Sequence, residues 1–239
     1  TGSLNFMVIG FCIGVCNGFA IPVAQKFGAK DDSALRRFVA NATWLCIGFA
    51  AVMTIAASVF CRDILLFLRT PQNVFQYAYW YMLIIFLGIP CTFLYNFLAA
   101  LIRSLGDSRT PVVFLAISSV LNIVLDLVFI LVFRWGVIGA ALATVLSQGI
   151  SGVCCLFYVG RTFPILHGSR SEWKVQPRYM VRLCTIGIPM GLQYSITAIG
   201  TLVIQAAVNG FGATVMAGVT AAGRLGNFLS CPIEALGQT

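Results

Sequence analysis

Residues 111–133, PVVFLAISSVLNIVLDLVFILVF, decide the fold of this chain. Asp126 is the single charged side chain in the run, and every other position is apolar or neutral. At a rise of about 1.5 Å per residue, a helix of this length crosses a hydrocarbon layer about 30 Å thick. The run therefore predicts a transmembrane helix.

The rest of the sequence has the same character. Of its 239 residues, 59% are hydrophobic and only 9% are charged, and the mean hydropathy is +0.95. A soluble domain of this size needs more polar surface than this composition supplies. We therefore predict an all-α, polytopic transmembrane helical bundle in contact with the lipid bilayer. Six further spans are predicted at residues 4–25, 38–60, 78–100, 136–159, 183–208 and 215–237.

The formal net charge is +8. In a soluble protein this charge would suggest nucleic acid, but here the basic residues cluster in the short connections at 26–37, 103–109 and 161–182, which lie on one side of the predicted membrane. Basic connections are typical of the cytoplasmic side. We expect a multi-pass plasma-membrane protein with no nucleic-acid partner, and with Thr1 on the outer side.

Enzyme signatures are absent from the sequence. His167 is the single histidine among the 239 residues, and no serine or cysteine nucleophile has a histidine partner nearby in sequence. Most of the nine cysteines fall within apolar runs and are interpreted as small buried hydrophobic residues. Only Cys61 is predicted to lie in a connection. The chain is therefore predicted not to be an enzyme and to need no cofactor.

Asp126 is the strongest candidate for chemistry. Asn122 lies one helical turn before it, so both side chains share a face. An amide oxygen and a carboxylate can together coordinate a hard cation, or the carboxylate can hold a proton. Thr144 belongs to a polar stripe on the following span. Serine and threonine in such stripes can simply join helices by hydrogen bonds, but a carboxylate inside a membrane is costly and favours a functional role.

Weaker candidates occur in the last two spans and in the first. Gln193 and Thr197 share a face that could line a cavity, and Glu234 follows Pro232 as a second deep acid. A helix-packing face, and a possible hinge, is predicted in the first span from glycines at steps of four: Gly10, Gly14 and Gly18.

Three segments carry a family resemblance. Residues 25–30, QKFGAK, resemble the G-Q-x-x-G-A-G loop of multidrug and toxin extrusion (MATE) transporters, with Ala24 in place of the usual glycine. Residues 103–111 are similar to the R-x-x-G-D-x-x-x-P connection of that family. Residues 136–144, GVIGAALAT, resemble its G-x-x-G-A-A-x-A-T helix start.

The resemblance implies two six-helix lobes, with this chain covering family helices two to eight. It implies an N-terminal lobe over residues 1–165 whose first family helix is missing, a cytoplasmic connection over 166–182, and the start of a C-terminal lobe over 183–239. It also implies that Asn122, Asp126 and Thr144 occupy positions of an H⁺ or Na⁺ site. The further aspartate that family helix one supplies to this site lies outside the chain.

The activity implied by the resemblance is efflux of small amphipathic or cationic compounds by H⁺ or Na⁺ antiport with alternating access, by a monomer. One alternative is a lipid or lipid-linked oligosaccharide flippase of the same superfamily, which would be expected to place several bases in its cavity, whereas Arg224 is the only deep base identified. An alternative of another class is a non-transporting membrane scaffold or an incomplete fragment.

Overall fold

The computed structural model describes residues 2–67, 72–166 and 172–209, together with positions 218–219, 222–223, 226 and 229. These residues are helical apart from short connections, and none of them is in a strand. The prediction of an all-α fold is therefore confirmed. The chain forms two compact units, Thr1–Ser195 and Ile196–Thr239.

Seven α-helices account for nearly all of this structure. A π-helix, Val128–Val132, extends the fifth helix, and a short 3₁₀ turn, Pro164–Leu166, follows the sixth. The helices are α1 (Gly2–Gly28), α2 (Asp32–Phe67), α3 (Gln72–Leu87), α4 (Ile89–Ser104), α5 (Arg109–Leu127), α6 (Gly136–Thr162) and α7 (Pro177–Asn209).

Most of the predicted membrane spans correspond to these helices. Within the described residues, five helices are long and apolar enough to cross a membrane, and α3 and α4 together form a sixth, bent span. The predicted span at 215–237 lies almost entirely outside the described residues. The prediction that Cys61 lies in a connection is wrong, because α2 continues to Phe67 and buries this thiol.

The span predicted at 78–100 consists of two helices in the structure, which agrees with Pro90 as a predicted place for a bend. α3 and α4 meet at Gly88 with a bend of 44°. Pro90 in the first turn of α4 lacks an amide hydrogen and cannot continue the hydrogen bonding of α3. The Val145 side chain of α6 occupies the space where a Cβ of residue 88 would lie. The close approach of α6 therefore depends on glycine at this position.

The buried core of the first unit lies between α1, α2 and α4. Cys16 and Phe19 of α1 and Phe93 of α4 are almost completely buried in it. α5 lies at the periphery, where apolar side chains such as Val120 and Ile123 are more than half exposed. In a membrane protein such side chains face acyl chains, so α5 has one lipid face and one polar face towards α6.

The predicted packing face of α1 is confirmed. A Cβ at Gly14 would lie 2.6 Å from the carbonyl oxygen of Met190, and one at Gly18 would lie 2.5 Å from the Cα of Gly187. Both neighbours are backbone atoms of α7. The backbones of α1 and α7 therefore touch, which small residues allow in membrane helices.

Candidate cation site

The structure brings Asn122 of α5 and Thr144 of α6 together. The Asn122 Nδ2 lies 3.5 Å from Thr144 Oγ1, at the outer limit of a hydrogen bond. The Thr144 hydroxyl donates its own hydrogen to the carbonyl oxygen of Ala140 at 3.0 Å. Its lone pairs are therefore available to the Asn122 amide or to a bound cation.

Asp126 lies one turn further along the same face of α5 and is partly buried. Its Oδ1 is inaccessible to solvent and has no hydrogen-bond partner in the part of the chain that the structure describes. No salt bridge to Asp126 is found among those residues either. A buried carboxylate oxygen without a partner is energetically costly, which makes this position a candidate functional site.

The site combines one carboxylate with an amide oxygen and a hydroxyl oxygen. Hard cations prefer oxygen ligands of this kind, whereas zinc and similar metals prefer nitrogen and sulfur. Over the described ranges, no group of three His, Cys, Asp or Glu side chains is placed to hold a metal ion. The three residues therefore offer the kind of donors that hard cations prefer.

A change of helix type follows Asp126 directly. α5 widens into the π-helix Val128–Val132, and Phe133 donates its backbone hydrogen to the Val128 carbonyl at 3.1 Å. Gly139 at the start of α6 packs here, because a Cβ on it would lie 2.9 Å from the Cβ of Phe129. Such π segments are frequent at functional sites. No feature used in the sequence analysis predicted this one.

A second polar contact joins α4 to α6, one helical turn after Thr144 on α6. The Thr92 hydroxyl donates to Gln148 Oε1 at 2.6 Å, and the Asn96 amide donates to the Thr92 carbonyl at 2.8 Å. Ser147, next to Gln148, donates to the Thr144 carbonyl at 2.9 Å. The sequence analysis missed Thr92 and Asn96, although their spacing of four residues after Pro90 is a helical polar pair that could have been noticed.

The weaker candidates from the sequence are Gln193, Thr197 and Glu234. Gln193 and Thr197 are both exposed on α7, Gln193 in the first unit and Thr197 in the second. Each makes an interaction with another side chain or with the backbone. Glu234 and Arg224 lie outside the described residues.

Two connections that carry the family resemblance have clear local roles. In the first, Lys26 forms a salt bridge with Asp31 at 3.1 Å. In the second, Asp107 Oδ1 accepts backbone hydrogen bonds from Arg109 at 3.1 Å and Thr110 at 3.0 Å, at the start of α5. Hydrogen bonds from Thr110, and a further one from Tyr158, lower the pKa of Asp107.

The helices and the polar residues between them define a polytopic α-helical membrane protein with a carboxylate inside the bundle. The model of the MatE family matches residues 1–128. The chain belongs to the MatE family.

Two of the curated relatives have names that refer to multidrug resistance or multidrug export. The chain is 37% identical to the "Probable multidrug resistance protein YpnP" of Bacillus subtilis over 99% of this chain and 53% of that protein. It is 26% identical to the "Multidrug export protein MepA" of Staphylococcus saprophyticus over 88% of this chain and 48% of that protein. The chain therefore spans about half the length of these relatives.

Solved structures agree on the fold. An outward-facing MATE multidrug transporter of the MOP superfamily superposes with a TM-score of 0.88 at 20% identity, over 98% of this chain and 52% of that one. An inward-facing structure with the same family description superposes with a TM-score of 0.82 at 20% identity, over 97% of this chain and 53% of that one.

Several predictions are thereby confirmed: the family, the multi-pass membrane location and the absence of an enzyme role, since the relatives are transporters. The lobe boundaries, the cation-site residues, the orientation in the membrane and the monomeric state stay predictions.

Proposed function

We propose that the complete protein exports small amphipathic or cationic compounds, driven by inward movement of H⁺ or Na⁺ through Asn122, Asp126 and Thr144. The observation that carries this proposal is the buried Asp126 Oδ1, which has no partner among the described residues. The names of the curated relatives support the substrate class.

The coupling follows from the energy of an unpaired carboxylate. An ionised Asp126 is costly in a dry surrounding, and a proton or cation removes most of that cost. The loaded and unloaded forms therefore prefer different surroundings. If the inward-open and outward-open states hydrate Asp126 to different degrees, loading shifts the balance between them. A shift from 1:99 to 99:1 needs about 5.5 kcal/mol of differential binding, which is of the order of the cost of an unpaired buried charge.

Each residue of the site has a distinct part in this scheme. Asp126 supplies the carboxylate that takes up the proton or the cation. Asn122 donates through its amide nitrogen towards Thr144, which leaves its amide oxygen as an acceptor. Thr144 contributes a second neutral oxygen. The neutral oxygens replace part of a cation's hydration shell, whereas the carboxylate alone is sufficient for a proton.

The test uses the full-length protein reconstituted in vesicles. Efflux of a fluorescent organic cation is measured under an imposed pH gradient and, separately, under an imposed Na⁺ gradient. We expect Asp126→Asn to reduce gradient-driven efflux at least about tenfold, the effect of about 1.4 kcal/mol of lost coupling. The matched control is Ser119→Ala on the same helix, because Ser119 is exposed and donates to its own helix at Leu115.

Unchanged coupled efflux in Asp126→Asn would exclude this residue as the coupling group. A wild-type protein without gradient-driven flux would favour the non-transporting alternative. If efflux responds to only one of the two gradients, that gradient identifies the coupling ion.

A further inference from the structure

A polar cavity of about 190 Å³ lies at one membrane-surface end of the first unit, where α1 ends and where α2 and α7 begin. Four charged side chains line it: Lys26, Asp31, Arg178 and Arg182. None of them belongs to the candidate cation site. The cavity therefore requires its own explanation.

The carboxylate of Asp31, the acidic group that lines the cavity, already has partners. Asp31 accepts a hydrogen bond from the backbone of Ala34 at 3.2 Å and forms the salt bridge with Lys26. The Ala34 amide, Lys26 and the nearby Arg37 lower the pKa of Asp31, so this carboxylate stays ionised and holds Lys26. Lys26 and Asp31 thus neutralise each other.

Arg178 and Arg182 are left with an excess of positive charge. They lie one turn apart in the first turns of α7, so their guanidinium groups share a face and repel each other. The N-terminus of a helix is also the positive end of its dipole. In the described part of the chain, neither arginine forms a salt bridge. An anion bound between the two arginines would replace this repulsion with attraction.

Aromatic contacts hold this arrangement in place. The rings of Phe38 and Tyr179 pack edge to face with their centroids 4.8 Å apart. The guanidinium carbon of Arg182 lies 6.0 Å from the centroid of the Phe38 ring, a distance suited to a cation–π contact. Arg182 is therefore held beside the cavity before any ligand binds, which lowers the entropic cost of binding for this side chain.

The surroundings indicate what kind of anion fits. The apolar side chain of Val181, which directly precedes Arg182 on α7, is 65% exposed, and the Trp173 side chain just before α7 is 44% exposed. Indole rings favour the level of lipid headgroups. An anion bound here is thus next to acyl chains, and guanidinium groups match the geometry of phosphate oxygens.

We propose that this cavity binds the phosphate of an anionic phospholipid headgroup through Arg178 and Arg182, with the acyl chains lying along Val181. The lipid joins the start of α7 to the turn between α1 and α2. This binding is independent of the transport proposal, because it requires neither Asp126 nor an ion gradient.

The experiment measures lipid retention by the full-length protein in detergent, using native mass spectrometry with phosphatidylglycerol or phosphatidylcholine. We expect the wild type to retain phosphatidylglycerol in clear preference to phosphatidylcholine. Each basic residue near an anionic lipid surface contributes about fivefold, so Arg178→Gln with Arg182→Gln should reduce this preference about 25-fold. The charge-preserving pair Arg178→Lys with Arg182→Lys should keep part of it, which excludes simple misfolding as the cause of the loss.

Lys174→Gln is the matched control, because Lys174 is exposed in the connection just before α7 but does not line the cavity. A loss in Lys174→Gln as large as in the double glutamine variant would overturn the proposal in favour of general surface attraction. Equal retention of the two lipids by the wild type would also overturn it. So would displacement of phosphatidylglycerol by millimolar inorganic phosphate, which would identify a soluble anion as the ligand.

Discussion

Arg36 of α2 forms a two-point ion pair with Glu172, in the connection that leads into α7. The Nε of Arg36 lies 2.7 Å from one carboxylate oxygen, and a terminal guanidinium nitrogen lies 3.0 Å from the other. Asn41, also on α2, accepts a hydrogen bond from the backbone N–H of Gln176 at 2.8 Å. Residues 172–176 are therefore fixed along α2 and are not a free linker.

This ion pair leads to a first prediction. Arg36→Gln should lower the thermal stability of the protein, because two charge-assisted hydrogen bonds are lost and Glu172 is left partly buried. Thermal unfolding measures the loss, and chymotrypsin cleavage at Trp173 should become faster as the connection detaches. Arg161→Gln, at an exposed position near the end of α6, is the control. Unchanged cleavage in Arg36→Gln would mean that the ion pair does not hold the connection.

The contact between α1 and α7 leads to a second prediction. Gly14→Leu should destabilise the protein by about 1–3 kcal/mol, because the new side chain meets backbone atoms of α7 that cannot rotate away. Gly48→Leu in α2 is the matched control, since a Cβ there meets nothing within 4 Å. We expect the control to be neutral or slightly stabilising, as leucine favours helices more than glycine. Equal thermal stability of the two variants would contradict the close packing.

The carboxylate of Asp107, which accepts backbone hydrogen bonds at the start of α5, leads to a third prediction, about pH. Its pKa is lowered in the folded state, so its stabilising effect is complete above the unfolded value of about 3.9 and disappears as the pH falls through the lower folded value. Asp107→Asn should therefore cost about 1 kcal/mol at neutral pH, as expected for a helix cap, and progressively less below about pH 4.

Thermal unfolding of both proteins between neutral and acid pH tests this prediction. Asp63→Asn serves as the control, because Asp63 is exposed near the end of α2. A stability difference between wild type and Asp107→Asn that grows towards acid pH would contradict the expected direction of the effect.

The buried hydrogen bond between Thr92 and Gln148 leads to a fourth prediction. Thr92→Val should cost about 1–3 kcal/mol, because the Gln148 oxygen loses its donor inside the bundle. The double variant Thr92→Val with Gln148→Leu should recover much of this loss, since neither polar group then remains. A double-mutant cycle based on thermal unfolding measures the coupling. Strictly additive effects would show that the bond contributes little to the packing of α4 on α6.

Much of the candidate site could be anticipated from local sequence. Asp126 was recognisable because a carboxylate within an apolar run is rare, and Asn122 because it lies one turn away. The pairing of Asn122 with Thr144 was implied only by the family resemblance, since it depends on how α5 packs against α6. The π-helix after Asp126 and the Thr92–Gln148 bond were not anticipated, as both depend on neighbouring helices.

The sequence by itself determined that this chain is a helical membrane protein with a carboxylate inside the bundle. Hydropathy is a local property, and a single long apolar run in lipid can satisfy its backbone hydrogen bonds internally only as a helix. Only the tertiary structure decided which side chains of different spans meet. The approach of Val145 to Gly88, the pair of Arg36 with Glu172, and the arginines beside Lys26 and Asp31 in the cavity all bring together residues distant in sequence, and such contacts are set by packing between helices.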